Sequence, residues 1–273
     1  MLSFSSAMSL AVNSKAAARE CVEKSDAADA DVLVFHTTVG HNFQQLMAAA
    51  REAAPNATVV GCTGSGVISN EGVSEAMRAL ACMAITGPEQ AVVFRAGVDG
   101  KTSYDVAASA AAELKDKLPG AKQIQILVTG LDLSGDKIIE GIESVFGPDI
   151  VLFGGTSADP GKAKRTVQFH VDQIVSDGLI LVGLADPTLE MVSGAHHGSL
   201  PVGTDFEVSK SDTNHVFEID GEPAWPFLMA RLQVPVSSHP SEVLPIAGLG
   251  YALSAEDAAA YDSAHILCVS FKV

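Results

Sequence analysis

The sequence predicts an α/β protein: an internally duplicated helix-strand-helix-strand-strand-strand unit, with mixed sheets covered by helices and the two copies related by a pseudo-twofold axis. Three observations carry this prediction. Apolar runs of strand length end in glycine or small polar residues; stretches of helical period separate them; and a second series of such segments repeats the first in the same order.

The elements follow in chain order. The helix "SKAAARECVEKS" precedes the strand "DVLVFHTT" in the first copy, as "VAASAAAELKDKL" precedes "QIQILVTG" in the second. An amphipathic helix comes next in each copy, with Phe43, Leu46, Met47, Ala50 and Ala54 on one stripe and Ile138, Ile139, Ile142, Val145 and Phe146 on the other. The strands "ATVVGCT" and "DIVLFGGT" then align Gly61 with Gly154 and Thr63 with Thr156. Finally "LACMAITGP" matches "LILVGLADP", and "AVVFRAG" matches "EMVSGAH". The copies span about residues 4–99 and 100–198, and "KRTVQFHVDQIVSDGL" alternates as a hairpin expected to protrude as a β-ribbon.

After Gly198 the pattern changes to two strands around the polar turn Ser211 to Asn214, then a helix beginning near Glu222-Pro223. A first domain over residues 1–222 is therefore expected. Residues 223–273 read as the start of a second domain, and the final strand from His265 suggests that this domain is truncated.

Composition limits the function classes. With 47% apolar residues the chain can bury a substantial core, while 33 acidic against 17 basic residues leave a net charge of −16 that repels a phosphate backbone. Nucleic acid is excluded as a partner. No apolar run reaches membrane-spanning length, and the start lacks a basic segment before an apolar one, so a cytoplasmic protein without a membrane partner is expected. Cys21, Cys62, Cys82 and Cys268 are scattered without Cys-x-x-Cys or zinc spacing, which argues against a disulfide framework and a metal centre.

The two glycine-rich turns carry the candidate chemistry. In "GGTSADPGK" five residues separate Gly155 from Gly161, and Lys162 is followed by Ala163; a phosphate loop needs four, then Ser or Thr after the lysine. Gly61, Gly64 and Gly66 lack the order of a dinucleotide fingerprint. Cys62 and His36 end strands of one copy and form a nucleophile–base pair if those strands are neighbours, but the second copy has Gly155 and Val128 there. Catalysis therefore ranks below binding. None of the eight histidines makes a His-x-x-x-His pair, leaving His170 in the hairpin and His197 at a strand end as candidate axial haem ligands. The leading expectation is a small-ligand pocket, with backbone approach at Gly61, Gly64, Gly154 and Gly155. Hydrogen-bonding groups come from Cys62, Thr63, Ser65, Thr156, Ser157, Asp159 and His36.

The ordered series "VVGCTGSGVISNEG", "LACMAI", "FGGTSAD", "FHVDQIVSDGLILVGL" and "GSLPVGTDFEVSKSDTNHVFEIDGEPAW" resembles the FIST family, named for F-box and intracellular signal transduction proteins. The resemblance runs to about Leu232, and "AHILCVSFKV" is similar to the opening of the family's C-terminal domain. It implies a sensory input module without catalysis that binds small ligands such as amino acids and serves a signalling partner, for example a histidine kinase or another output domain. Haem binding with nitric oxide sensing is the alternative it implies, and a Cys62/His36 enzyme is the second alternative.

Overall fold

Strand and helix periods in the sequence become the layers of the fold, as a computed structural model shows. Residues 1–97, 102–129, 133–159, 166–192, 205–212, 215–243, 249–261 and 265–267 are described. The first series of elements is β1 (Ser3–Ser9), α1 (Ser14–Lys24), β2 (Val32–Thr37), α2 (Phe43–Ala53), β3 (Thr58–Thr63), the hairpin β4 (Val67–Ser69) and β5 (Gly72–Ser74), and β6 (Leu80–Thr86). The second is β7 (Gln90–Arg95), α3 (Ser103–Lys117), β8 (Gln123–Val128), α4 (Gly135–Phe146), β9 (Val151–Thr156), the hairpin β10 (Gln168–His170) and β11 (Gln173–Val175), and β12 (Leu179–Leu184). Asn13, Asn42 and Thr102 start three of the helices by accepting from Ala16, Gln45 and Asp105 backbone N–H groups, which helix geometry leaves without internal partners.

These series form two mixed sheets with the same internal order, β1-β6-β2-β3 and β7-β12-β8-β9. In each, one parallel pair, β2–β3 or β8–β9, is bridged by a crossover helix, and the remaining pairs are antiparallel. Two details differ from the sequence reading. The strand Gln90–Arg95, expected to close the first unit, opens the second sheet and pairs with β12, while Glu190–Val192 form no strand. The β10–β11 hairpin does not protrude: β10 pairs antiparallel with β3 and widens the first sheet. Pairing an otherwise open edge satisfies its backbone groups.

Alternation then sorts the side chains into layers. Leu33, Phe35 and Val59 pack with Ala17, Ala18, Leu46 and Met47 of α1 and α2, whereas Val32, Val34 and Val60 pack with Ile180 and Val182 of the second sheet. Ile124, Ile126 and Leu181 likewise meet Ala107, Ala110, Ile138 and Ile142 of α3 and α4. The result is helix, sheet, sheet, helix. At one end Asp186, beyond β12, accepts from the backbone N–H of Leu2 at 2.5 Å and from the backbone and hydroxyl of Thr188. Those hydrogen bonds hold its carboxyl down at about 2.

Residues 192–273 form a second compact unit. It holds the antiparallel strands β13 (Val208–Asp212), β14 (His215–Ile219) and β15 (Glu222–Pro223), then α5 (Ala224–Leu232), α6 (Pro240–Val243), β16 (Gly250–Ala252), α7 (Ala255–Tyr261) and β17 (His265–Leu267). Ile219, Ala224, Phe227 and Leu249 form its core, with Phe206 edge-on to Phe227 at 5.5 Å.

The aligned glycines have a shared steric role. A Cβ on Gly61 would lie 2.0 Å from the carbonyl oxygen of Phe35, and one on Gly154 would lie 2.1 Å from that of Ile126. Each oxygen belongs to the residue directly opposite on the parallel neighbour strand. Around Gly155 nothing lies within 4 Å. Gly61→Ala and Gly154→Ala are therefore expected to cost about 2–3 kcal/mol each, and Gly155→Ala less than about 0.5 kcal/mol. Urea unfolding of the three variants checks this; an unchanged midpoint for Gly61→Ala contradicts the steric account.

Candidate functional site

Parallel pairing brings the carboxyl ends of β2 and β3 to one end of the first sheet and those of β8 and β9 to the same end of the second. The two glycine turns meet there. Ala158 N–H donates to the carbonyl oxygen of Thr63 at 2.9 Å, and the Ser65 hydroxyl donates to that of Asp159 at 2.7 Å. Thr63 exchanges two further bonds with Val167: its N–H donates to the Val167 carbonyl, and its hydroxyl accepts from Val167 N–H at 3.0 Å. Gly64 N–H donates to Thr37 O at 2.9 Å, closing the turn onto its own sheet.

Inside this seam Cys62, Thr63 and Ser157 are buried neutral side chains, and Asp159 is buried beside them. Ser157 donates to Val128 O at 2.9 Å and accepts from the Gln168 amide at 2.6 Å, while the Gln168 oxygen accepts from Gly178 N–H. Gln168 thus ties β10, the end of β9 and the start of β12 together. Sequence reasoning missed it; its only signal was one polar residue within the alternating run "TVQFHV". The outer members, Ser65, Gly154, Gly155 and Thr156, are exposed, whereas Cys62, Thr63, Ser157 and Asp159 are buried.

The β2–β3 register places His36 directly opposite Cys62, with Sγ 3.7 Å from Nδ1. Burial pushes the Cys62 thiol up to about 11, against a smaller opposing effect of a Ser157 hydrogen bond, and burial also lowers His36. Near neutral pH the pair is a thiol beside a neutral imidazole. An activated cysteine needs the opposite shift. His170 ends β10 with its ring stacked on Phe94 at 5.0 Å and its Nδ1 enclosed without a partner. It lines neither of the cavities at residues 12–14, 40–45 and 78 or at residues 19–28 and 53. His197 lies outside the described residues. Among the described residues no group of three or more His, Cys, Asp or Glu is placed to hold a metal ion.

A thiol whose folded pKa is raised stabilises the fold below its unfolded value and loses that contribution as pH climbs. For Cys62 the window runs from 9.0 to about 11, and Cys21 and Cys82, both raised mainly by burial, act in the same direction. Stability is expected to fall through this window, and Cys62→Ala to make the fall shallower by up to about 1.4 kcal/mol per pH unit. Urea unfolding at a series of alkaline pH values reads the two slopes; identical slopes contradict a buried neutral thiol.

The family model described as the FIST N domain matches residues 30–222. A search of the curated proteins finds no match. Among solved structures the chain is similar to one titled "Cyanuric acid hydrolase: evolutionary innovation by structural concatenation", at 9% identity over 68% of each chain with a TM-score of 0.36. A likeness of that size carries no argument. The family match spans the strands and turns from β2 to β15, well over half of the sequence, and the chain belongs to the FIST N domain family.

Proposed function

We propose that the chain is a sensory module of intracellular signal transduction that binds a small polar molecule, such as an amino acid or similar metabolite, at the seam joining the two glycine turns. It carries out no catalysis, works in the cytoplasm, and passes its signal to a partner such as a histidine kinase or another output domain. Family membership supports the coarser part, because FIST domains are sensory modules of signalling proteins. A net charge of −16 disfavours nucleic acid, and no helix among the described residues is long and apolar enough to cross a membrane.

One observation carries the finer part. The bonds from Ala158 to Thr63 and from Ser65 to Asp159 join turns of two different sheets, so a ligand competing for those groups changes how the sheets meet. Buried donors and acceptors suit a small polar ligand, and burial of Cys62 opposes nucleophilic use. A thermal-shift screen against amino acids and small metabolites tests the reading. A ligand at a hundred times its dissociation constant stabilises by about 2.7 kcal/mol. Thr156→Val, at an exposed position, is expected to shrink that shift while leaving the ligand-free melting temperature in place, and Ser65→Ala to shrink it while lowering that temperature through loss of the bond to Asp159. Absence of any shift across the screen, with a normal ligand-free melt, counts against the proposal.

A further inference from the structure

Away from the seam, the first sheet's two helices begin beside one another around a cavity of about 470 Å³, lined by Val12 to Ser14, Gly40 to Gln45 and Arg78. Five features of this cavity point the same way. Both helices run for 11 residues, and neither has an acidic residue in its first turn. Their caps, Asn13 and Asn42, serve only the Ala16 and Gln45 amides, which leaves the Ser14 and Gln44 amides without a partner among the described residues. Arg78 bridges the two entering loops by donating to Gly40 O at 3.0 Å and Val12 O at 2.9 Å. No acidic side chain lines the cavity, although the chain as a whole carries a net charge of −16.

The fifth feature is His41, which is 5% exposed. The Ser14 hydroxyl accepts from Asn42 N–H at 2.9 Å and lies 3.2 Å from Nδ1 of His41. With the hydroxyl as donor in that contact, the ring proton of a neutral imidazole sits on Nε2. Nε2 is enclosed and has no hydrogen-bond partner. An unpaired buried polar atom is costly, and His41 is among the residues that line the cavity.

We propose that the paired N-termini of α1 and α2, with Arg78 and the Nε2–H of His41, form a binding site for a small oxyanion, a phosphate or a carboxylate. Two helix dipoles converge on the cavity, their free amides donate, and the guanidinium supplies the full positive charge. The site is independent of the seam between the glycine turns, so either assignment stands if the other fails.

Titration of the whole chain with inorganic phosphate, and separately with acetate, at fixed ionic strength tests the proposal. Calorimetry measures affinity, and the imidazole ¹⁵N resonances of His41 report contact. Phosphate or acetate is expected to shift the His41 Nε2 resonance and raise the melting temperature, and the stronger of the two identifies the oxyanion class. Gln44→Glu places a carboxylate in the first turn of α2, where it favours the helix but repels the ligand. This variant is expected to fold with an undiminished melting temperature and to lose binding roughly tenfold or more. Arg78→Gln is expected to weaken binding to a similar degree. Saturable binding that both variants retain, or a wild-type chain whose His41 resonances ignore both anions, overturns the assignment.

Discussion

The apolar layer between the two sheets, which holds Val34 and Val60 together with Ile180 and Val182, is the constraint on which the rest of the structure depends. Each such side chain contributes about 1.5–3 kcal/mol when taken from water. Because strand side chains alternate, committing these positions inward turns Leu33, Phe35, Ile124 and Leu181 outward, where only a covering helix can bury them. The alanine faces of α1 and α3 answer that need by letting the helices come close. Gly141 takes this furthest, since a Cβ there would lie 2.6 Å from the carbonyl oxygen of Tyr104.

Stacking two sheets also creates two ends that differ in kind. At one, the Asp186 carboxylate accepts from Leu2 and holds the start of β1 near the end of β12. At the other, the strands end in small polar residues, and Thr63, Ser157 and Gln168 close the gap with neutral hydrogen bonds. The seam is polar, and its hydrogen bonds are made by neutral groups around the buried Asp159. That character suits recognition of a polar ligand and leaves the Cys62 thiol protonated.

Helix starts supply the opposite chemistry. Where α1 and α2 begin, unpaired amides and Arg78 concentrate positive potential on a strongly acidic chain. His41 sits at that junction because Ser14, the first residue of one helix, bonds both its ring and the cap residue of the other. Burial and the Arg78 charge both lower the His41 pKa, which favours the neutral ring.

The sequence by itself determined the type and order of many elements, because they rest on local periods of two and 3.6 residues: α1 to α4, the strands ending at Thr63 and Thr156, and the hairpin at Gln168 are legible there. It also aligned Gly61 with Gly154. What it lacked was the reason, which is a carbonyl oxygen on a neighbouring strand. Only the tertiary structure decided that Gln90–Arg95 belongs to the second sheet, that β10 adds to the first, and that His41 meets Ser14. Those outcomes depend on which edge or face is left open once the layers have stacked. That information lies in contacts between residues far apart in the chain, and no local pattern records it.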